Sequence, residues 1–318
     1  MNSTKIVVCG SIAIDRIMNF NGSYKNLIKP DAIHVLSLSV FLDSIKDTQG
    51  GVAGNICYNL ALLKEKPILM GSVGKDANIY ISKLAKMGVN TKNVHYSNKK
   101  TASFNVITDA DNNQIGGFYP GAMFDSSNLS FTPWQNKNAL MVLAPHDPIA
   151  MKRQVDECKK YGLRLFYDIG QQISNTPKQD IKKGIDAAEL VIVNDYEFMV
   201  LCDILQNTTA QIKKLLPTLV ITKGSKGSII CGSKYKSEII VKAAKPNKVI
   251  DPTGAGDAYR AGFLYGYTRG FRPDICGMLG SVLALYALEA HGTQEHTFTR
   301  QQFSDRFKQN YKLAAPLQ

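Results

Sequence analysis

The stretch VIDPTGAGDAYRAGFL, Val249 to Leu264, places two acids, Asp251 and Asp257, on either side of Thr-Gly-Ala-Gly, with an apolar helical pattern behind them. Pro252 fixes one φ, while Gly254 and Gly256 allow a tight turn whose backbone N–H groups are unobstructed. Asp257 then opens a helix whose apolar positions include Ala261, Phe263, Leu264 and Tyr267. Unpaired amides and the helix dipole converge at such a start and favour a phosphate. A carboxylate at the same spot repels that anion. It makes chemical sense there if it accepts a proton from a hydroxyl that attacks phosphorus. The alternative is a capping Asp after a glycine turn. Two other phosphate motifs fail on spacing. A dinucleotide fingerprint needs G-x-G-x-x-G, yet Tyr259 stands three residues after Gly256. A Walker loop needs G-x-x-x-x-G-K-[ST]; in the nearest imitation, GSVGKDA, Leu69 takes the place of the first glycine and Asp76 that of the hydroxyl.

Outward from this stretch, apolar runs alternate with amphipathic helical patterns. KIVVCGSIAI, PILMGSV, ALMVLAP, LRLFYDIG, ELVIVN and TLVITKG read as strands, the first as one buried strand at the start of the chain. VAGNICYNLALLKE, DANIYISKLAKMGV, PIAMKRQVDECKKYG and TPKQDIKKGIDAA read as helices. Strands apolar on both faces predict a parallel sheet covered by helices on each side. Ligands in such folds bind beyond the carboxyl ends of the strands, here Ser11 to Asp15, Asp168 to Gln172, Asn194 to Glu197 and Thr222 to Gly224. Two segments break the rhythm, HVLSLSVFLDSIKDTQGG and TASFNVITDADNNQIGGFYPGAM; the second carries a turn signal at Asp111-Asn112-Asn113. They predict a small sheet, built from about residues 15–50 and 98–120, projecting from a single domain of residues 1–318. The last third, from Gly256 onward, reads as mostly helical.

The bulk numbers narrow the classes. Over 318 residues, 44% are hydrophobic and 20% charged, which suits a soluble globular protein. No apolar run approaches the ~18 residues of a membrane span, and no membrane role is expected. The start, MNSTKIVVCGSIAID, is interrupted by Gly10 and Asp15 and offers no export signal, so a cytoplasmic location is expected. Cys9, Cys57, Cys158, Cys202, Cys231 and Cys276 fall inside apolar patterns without C-x-x-C spacing, as reduced core thiols do. The net charge of +12 is spread over many helix faces, which favours a solvated basic surface, with steering of a polyphosphate substrate as the alternative, over a nucleic-acid stripe.

With these residues in place, DPTGAGDAYRAGF resembles the C-terminal signature of the ribokinase (PfkB) family of carbohydrate and nucleoside kinases. GGVAGNICYNLALL, Gly50 to Leu63, resembles that family's N-terminal signature. NDYE, Asn194 to Glu197, is similar to its N-x-x-E element, and VITKGSKGS to the strand before its nucleotide loop. The resemblance runs along nearly the whole chain in the family's order. It implies a three-layer α/β/α domain with a mostly parallel central sheet and a small β-sheet lid. It also implies Asp257 as general base and Gly254, Ala255 and Gly256 as the anion hole. Asn194, Thr222, Gly224, Gly227 and Arg260 would serve ATP. Glu197 would hold Mg²⁺ through water, and Asp251 would hold a K⁺ ion.

On the acceptor side, shorter strings such as GSIAIDRIMNF, DIGQQ and GTQE look like the bacterial adenosine kinases of this family. That likeness implies a nucleoside site of Ser11, Asp15, Ser39, Gly51, Asn55, Phe104, Phe118, Gln171 and Gln172. Asp15 would accept hydrogen bonds from adjacent sugar hydroxyls, the two phenylalanines would meet the base, and the glutamines would offer amides to a purine. The expected reaction is phosphorylation of the adenosine 5′-hydroxyl by ATP, with ribose or another nucleoside or sugar as the alternative acceptor. The lid implies a homodimer formed through it.

Overall fold

Every apolar residue of a strand buried on both faces needs a partner above or below it, and the chain supplies two separate layers of them. The computed structural model describes residues 4–317. In chain order its strands are β1 (Lys5–Cys9), β2 (Ala13–Asn19), β3 (Ser44–Gly50), β4 (Ile68–Gly74), β5 (Asn90–Ser97), β6 (Ala102–Thr108), β7 (Gln114–Tyr119), β8 (Ala139–Leu143), β9 (Arg164–Tyr167), β10 (Leu190–Asn194), β11 (Thr218–Thr222), β12 (Ser228–Cys231) and β13 (Ile239–Val241). The helices are α1 (Tyr24–Leu27), α2 (Val52–Leu62), α3 (Asn78–Lys86), α4 (Pro148–Tyr161), α5 (Lys178–Ala187), α6 (Asp195–Leu205), α7 (Thr209–Leu215), α8 (Ala255–Tyr267), α9 (Pro273–Leu288) and α10 (Arg300–Tyr311).

The large sheet runs β13-β12-β11-β10-β9-β8-β1-β4-β5. Its pairings are parallel from β5 through β11, and β12 and β13 add an antiparallel edge. Alternate residues of each central strand enter opposite cores. Ile6, Val8, Leu140, Val142, Leu190 and Ile192 pack with α2, α3, α8, α9 and α10. Val7, Cys9, Met141, Leu143, Val191 and Val193 pack with α4 to α7 on the other side. This is the three-layer arrangement expected from the sequence. The central helix α8 is pressed against α9: a Cβ on Gly262 would come within 2.6 Å of the Leu279 carbonyl oxygen, so only glycine fits that crossing.

The expectation of one continuous first strand is corrected. β1 ends at Cys9, and the chain leaves the large sheet before starting β2 in a second one. The exit is fixed where the Ser11 N–H donates to the Pro145 carbonyl (3.0 Å) and Gly10 lies so close to Ala144 that a Cβ would stand 2.7 Å from its side chain. The segment from His34 is also strand only in part. Residues 36–43 are irregular because β2, the partner of β3, ends its register at Asn19 opposite Ser44.

The second sheet has the order β3-β2-β6-β7. Its register aligns Thr48, Asp15, Phe104 and Phe118 in one row across all four strands. A second row, Ile45, Met18, Ile107 and Ile115, lies on the opposite face, since Asp15 and Met18 are an odd number of positions apart. All six cysteines are buried and unpaired. No helix among the described residues is long and apolar enough to cross a membrane.

Candidate active site

The glycine turn before α8 leaves backbone amides of the first helical turn without partners. Gly254 is the N-cap at φ 78°, a left-handed conformation that favours glycine. The Ala255 N–H bonds to the Pro252 carbonyl (3.3 Å) and the Ala258 N–H to the Gly254 carbonyl (2.9 Å). The N–H groups of Gly256 and Asp257 have no backbone acceptor, as the first turn of a helix dictates, and the helix dipole adds positive potential at the same place.

Asp257 projects from that turn into a largely buried position. Its Oδ2 accepts a hydrogen bond from Asn55 Nδ2 at 2.8 Å, and its Oδ1 lies 4.0 Å from Arg260 Nη1. Burial pushes its carboxyl above the ordinary range; Arg260 and Asn55 pull it back, and Glu197 raises it again. A carboxylate with lifted proton affinity is a better base than a solvated one. The simple capping reading of Asp257 is not what the side chain does: it bonds to Asn55 of a distant helix, and Gly254 is the cap.

Arg260, expected beside the phosphates of ATP, turns inward. Its Nε lies 2.6 Å from Asp168 Oδ2, and its Nη2 donates to Asp168 Oδ1 at 2.9 Å. The same Nη2 lies 3.9 Å from Glu197 Oε2. The guanidinium therefore stands between the acid of N-x-x-E and the acid of the glycine turn. Asp168 is 1% exposed, and burial, only partly offset by Arg260, pushes its carboxyl up to about 7. In the sequence Asp168 stands out only as a strand end. Its signal was an acid closing the apolar run LRLFYD at the carboxyl edge of the sheet.

Asn194 and Glu197 form a reciprocal capping box at the head of α6. Asn194 Oδ1 accepts from the Glu197 N–H at 2.7 Å, and Glu197 Oε2 accepts from the Asn194 N–H at 2.9 Å. The box aims both side chains at the strand ends, where Asn194 pairs in register with Thr222 of β11. Just beyond, Gly224 and Gly227, both at positive φ, close the tight turn into β12; a Cβ on Gly227 would meet the Val241 carbonyl oxygen at 2.0 Å. Asp251 ties the glycine turn to a later segment, accepting from the Thr253 N–H and the Gly292 N–H at 2.9 Å each. Burial would raise its carboxyl, but these hydrogen bonds hold it below the usual range.

Several of the residues expected on the acceptor side lie at or near the start of α2. Gly51 sits at φ 84° where a Cβ would meet the Ser11 carbonyl oxygen and the Ala13 nitrogen at 2.6 Å. Ser11 Oγ accepts from the Val52 N–H at 3.0 Å and so caps the helix that carries Asn55. Asp15 leans over Gly50, where a Cβ would stand 2.3 Å from its Oδ2. Burial first, and the charge of Asp257 second, push the Asp15 carboxyl up to about 6. The two acids are thus close enough to feel each other's charge. Phe104 stands next to Asp15 and Phe118 next to Phe104 in one row on the same face of the small sheet, 39% and 51% exposed, and Gly116 leaves room for the Phe104 ring. Ser39 is exposed in the irregular segment before β3. Gln171 and Gln172 lie in a short 3-10 turn after β9, Gln171 exposed and Gln172 accepting from Asn175 Nδ2 at 3.4 Å. Among the described residues no group of three or more His, Cys, Asp or Glu side chains is arranged to hold a metal ion.

Comparison with known proteins bears on the family and the fold. Residues 3–300 match the pfkB family carbohydrate kinase profile. The nucleoside kinase of Methanocaldococcus jannaschii is 30% identical over 310 residues, covering 96% of this chain and 97% of that protein. The structure of the Burkholderia thailandensis nucleoside kinase in complex with inosine superposes with a TM-score of 0.86 at 30% identity, covering 97% of this chain and 99% of that one. Similarity to the adenosine kinase of Saccharomyces cerevisiae, 29% identical, spans 127 residues, or 36% of this chain. These full-length likenesses at 30% identity are to proteins named nucleoside kinases, a broader group than the bacterial adenosine kinases suggested by the short strings, and the ribokinase of Lactococcus lactis matches 92% of this chain at 25% identity. The chain belongs to the PfkB family and is an ATP-dependent kinase of nucleosides or sugars with the ribokinase-like fold.

Proposed function

We propose that this kinase transfers the γ-phosphoryl group of ATP to the 5′-hydroxyl of a purine nucleoside, with adenosine as the preferred acceptor. The observation that carries the reading is the position of Asp257, largely buried beside unpaired amides and within electrostatic reach of Asp15, which stands in a row with Phe104 and Phe118 on one face of the small sheet. A free sugar needs mainly polar partners. The half-exposed pair Phe104–Phe118 supplies a flat apolar surface suited to a base, next to a carboxylate suited to ribose hydroxyls. The likeness to a nucleoside kinase whose structure is in complex with inosine favours inosine as the second acceptor to test.

In the transfer, the 5′-oxygen forms a bond to the γ-phosphorus while the bond from that phosphorus to the β–γ bridging oxygen breaks. The hydroxyl proton passes to an Asp257 oxygen. The Gly256 and Asp257 amides, with Gly254 and Ala255 shaping the turn, take up negative charge on the transferring group. Asn194, Thr222, Gly224 and Gly227 line the side assigned to ATP. Arg260 acts from behind, fixing Asp168, Glu197 and Asp257 relative to one another.

Mg²⁺ would arrive with ATP and neutralise charge between its phosphates. The hard oxygen of Glu197, held by the capping box, fits a contact to a water of that ion. Asp251 is our candidate for K⁺: each of its oxygens accepts one amide and keeps a lone pair for a hard cation. We assign the small sheet the role of a lid that excludes water from the transfer. Its outer row, with Ile45 61% and Ile115 49% exposed, is apolar enough to pair with a second copy of the chain and cover both faces.

The reading is tested by presenting adenosine, inosine, cytidine, ribose and fructose 6-phosphate with ATP and identifying the products. Highest kcat/KM for adenosine, with AMP as product, is expected. A preference for ribose or fructose 6-phosphate would overturn the nucleoside assignment.

A further inference from the structure

Behind Asn55 lies a short run of polar side chains that none of the roles above employs. Gln294 Nε2 donates to Asn55 Oδ1 at 2.9 Å and to the Tyr80 hydroxyl oxygen at 2.5 Å. The Tyr80 hydroxyl in turn donates to the Gly50 carbonyl at 2.9 Å. Asn55, Tyr80 and Gln294 are each at most 3% exposed. Gly54 gives them their room: a Cβ there would stand 2.0 Å from the Tyr80 oxygen.

A carboxamide has two ends of similar size and opposite chemistry. If Asn55 presents its N–H to Asp257, it stabilises the ionised carboxylate; if it presents its oxygen, it stabilises the protonated acid. The run beyond Asn55 determines which end it presents. A backbone carbonyl can only accept, so the proton of Tyr80 is committed to Gly50. The Tyr80 oxygen must then accept, which points the amide nitrogen of Gln294 at it. That nitrogen's second N–H meets Asn55, which must answer with its oxygen and turn its own N–H toward Asp257. Gln294 Oε1 is left buried without a partner, as expected if both N–H groups are fixed from outside. The segment carrying Gln294 is itself pinned, by Gly292 to Asp251 at 2.9 Å and by Thr293 Oγ1 to the Gln49 carbonyl at 2.6 Å.

We propose that Gln294 is a positioning residue: through Asn55 it keeps a donor, and never an acceptor, facing the carboxylate of Asp257. The proposal rests on the reading of Asp257 as the base. The charged groups that also face or influence Asp257 are Arg260 of its own helix, Glu197 of α6, Asp15 of β2 and Asp168 after β9, and none of them changes in the test.

The test is the pH dependence of kcat/KM for adenosine in Gln294→Met and in Tyr80→Phe, both without change of charge. With Asn55 free to present either end, the acid limb of Gln294→Met moves to higher pH by about one unit, the worth of one hydrogen bond to a charged group. Tyr80→Phe moves it in the same direction by less, and serves alone should Gln294→Met fail to fold. A role in folding only would lower thermal stability and leave the limb where it is in the natural protein. Superimposable profiles in whichever variants fold would overturn the proposal. Failure of the base reading looks different: Asp257→Asn would then retain near-normal turnover.

Discussion

Replacing Arg260 with methionine removes a guanidinium that stands between three carboxylates, and the structure sets the size of two separable effects. The first falls on stability. Asp168 is 1% exposed, and its partner is the Arg260 side chain at 2.6 Å. Breaking such a buried pair from one side costs about 3–5 kcal/mol. Part of that is avoided if Asp168 takes up a proton, which its carboxyl, already pushed to about 7, does readily. A carboxyl raised in the folded state binds more protons folded than unfolded, so it destabilises as pH rises from the unfolded value toward the folded one. The variant should therefore lose more stability at about pH 8 than at about pH 6. The second effect falls on Asp257. A charge 4.0 Å away at an effective dielectric of about 20 is worth about 4 kcal/mol, a ceiling of about three pKa units. Neutralisation of Asp168 removes a neighbouring negative charge and cancels some of this, so the acid limb of kcat/KM should rise by about one to two units. Denaturant unfolding and pH–rate profiles read the two effects independently. Adding Asp168→Asn should return stability to within about 1 kcal/mol of the natural protein while the limb stays high. A limb within about 0.3 units of the natural one would refute the argument that Arg260 acts on Asp257 through its charge.

Other consequences follow from the acceptor side. Because the Asp15 carboxyl is raised to about 6, nucleoside binding by its ionised form should weaken as pH falls below that value, about tenfold per unit; calorimetric titration reads it, and a pH-independent affinity would contradict the role. Phe118→Ala should raise KM for adenosine about tenfold, the worth of one stacked base, and leave KM for ATP unchanged; equal effects on both would mean the ring only packs the small sheet. Ile115→Lys, on the outer row of that sheet, should convert the proposed dimer to a monomer in sedimentation; a natural protein that sediments as a monomer, or a variant that stays dimeric, would contradict pairing through this face.

Much of the fold was legible because the signals are local and redundant. Runs such as ALMVL and LVIVN are apolar at every position, which only a doubly covered strand explains. The exit at Gly10 was not legible, since IVVCGSIAI keeps its apolar character straight through a bend imposed by the distant Pro145 and Ala144. The same division runs through the site. Asp257 and its glycines announce themselves by spacing within one turn. The inward aim of Arg260 depends on Asp168, far away in sequence, and helical periodicity places Arg260 without saying which acid it meets. Gln294 is less legible still. Its function lies in the direction of hydrogen bonds fixed by Tyr80 and Gly50, and no spacing in the sequence encodes that direction.

The central claim is that Asp257 takes the proton from a nucleoside hydroxyl while the amides beside it hold the phosphoryl group. Asp257→Asn keeps the shape of the side chain and removes the base, so turnover of adenosine and ATP together with adenosine affinity decides the matter. The account predicts that kcat falls about 10²–10⁴-fold while the dissociation constant for adenosine changes by less than about threefold. Turnover within about tenfold of the natural protein would contradict it.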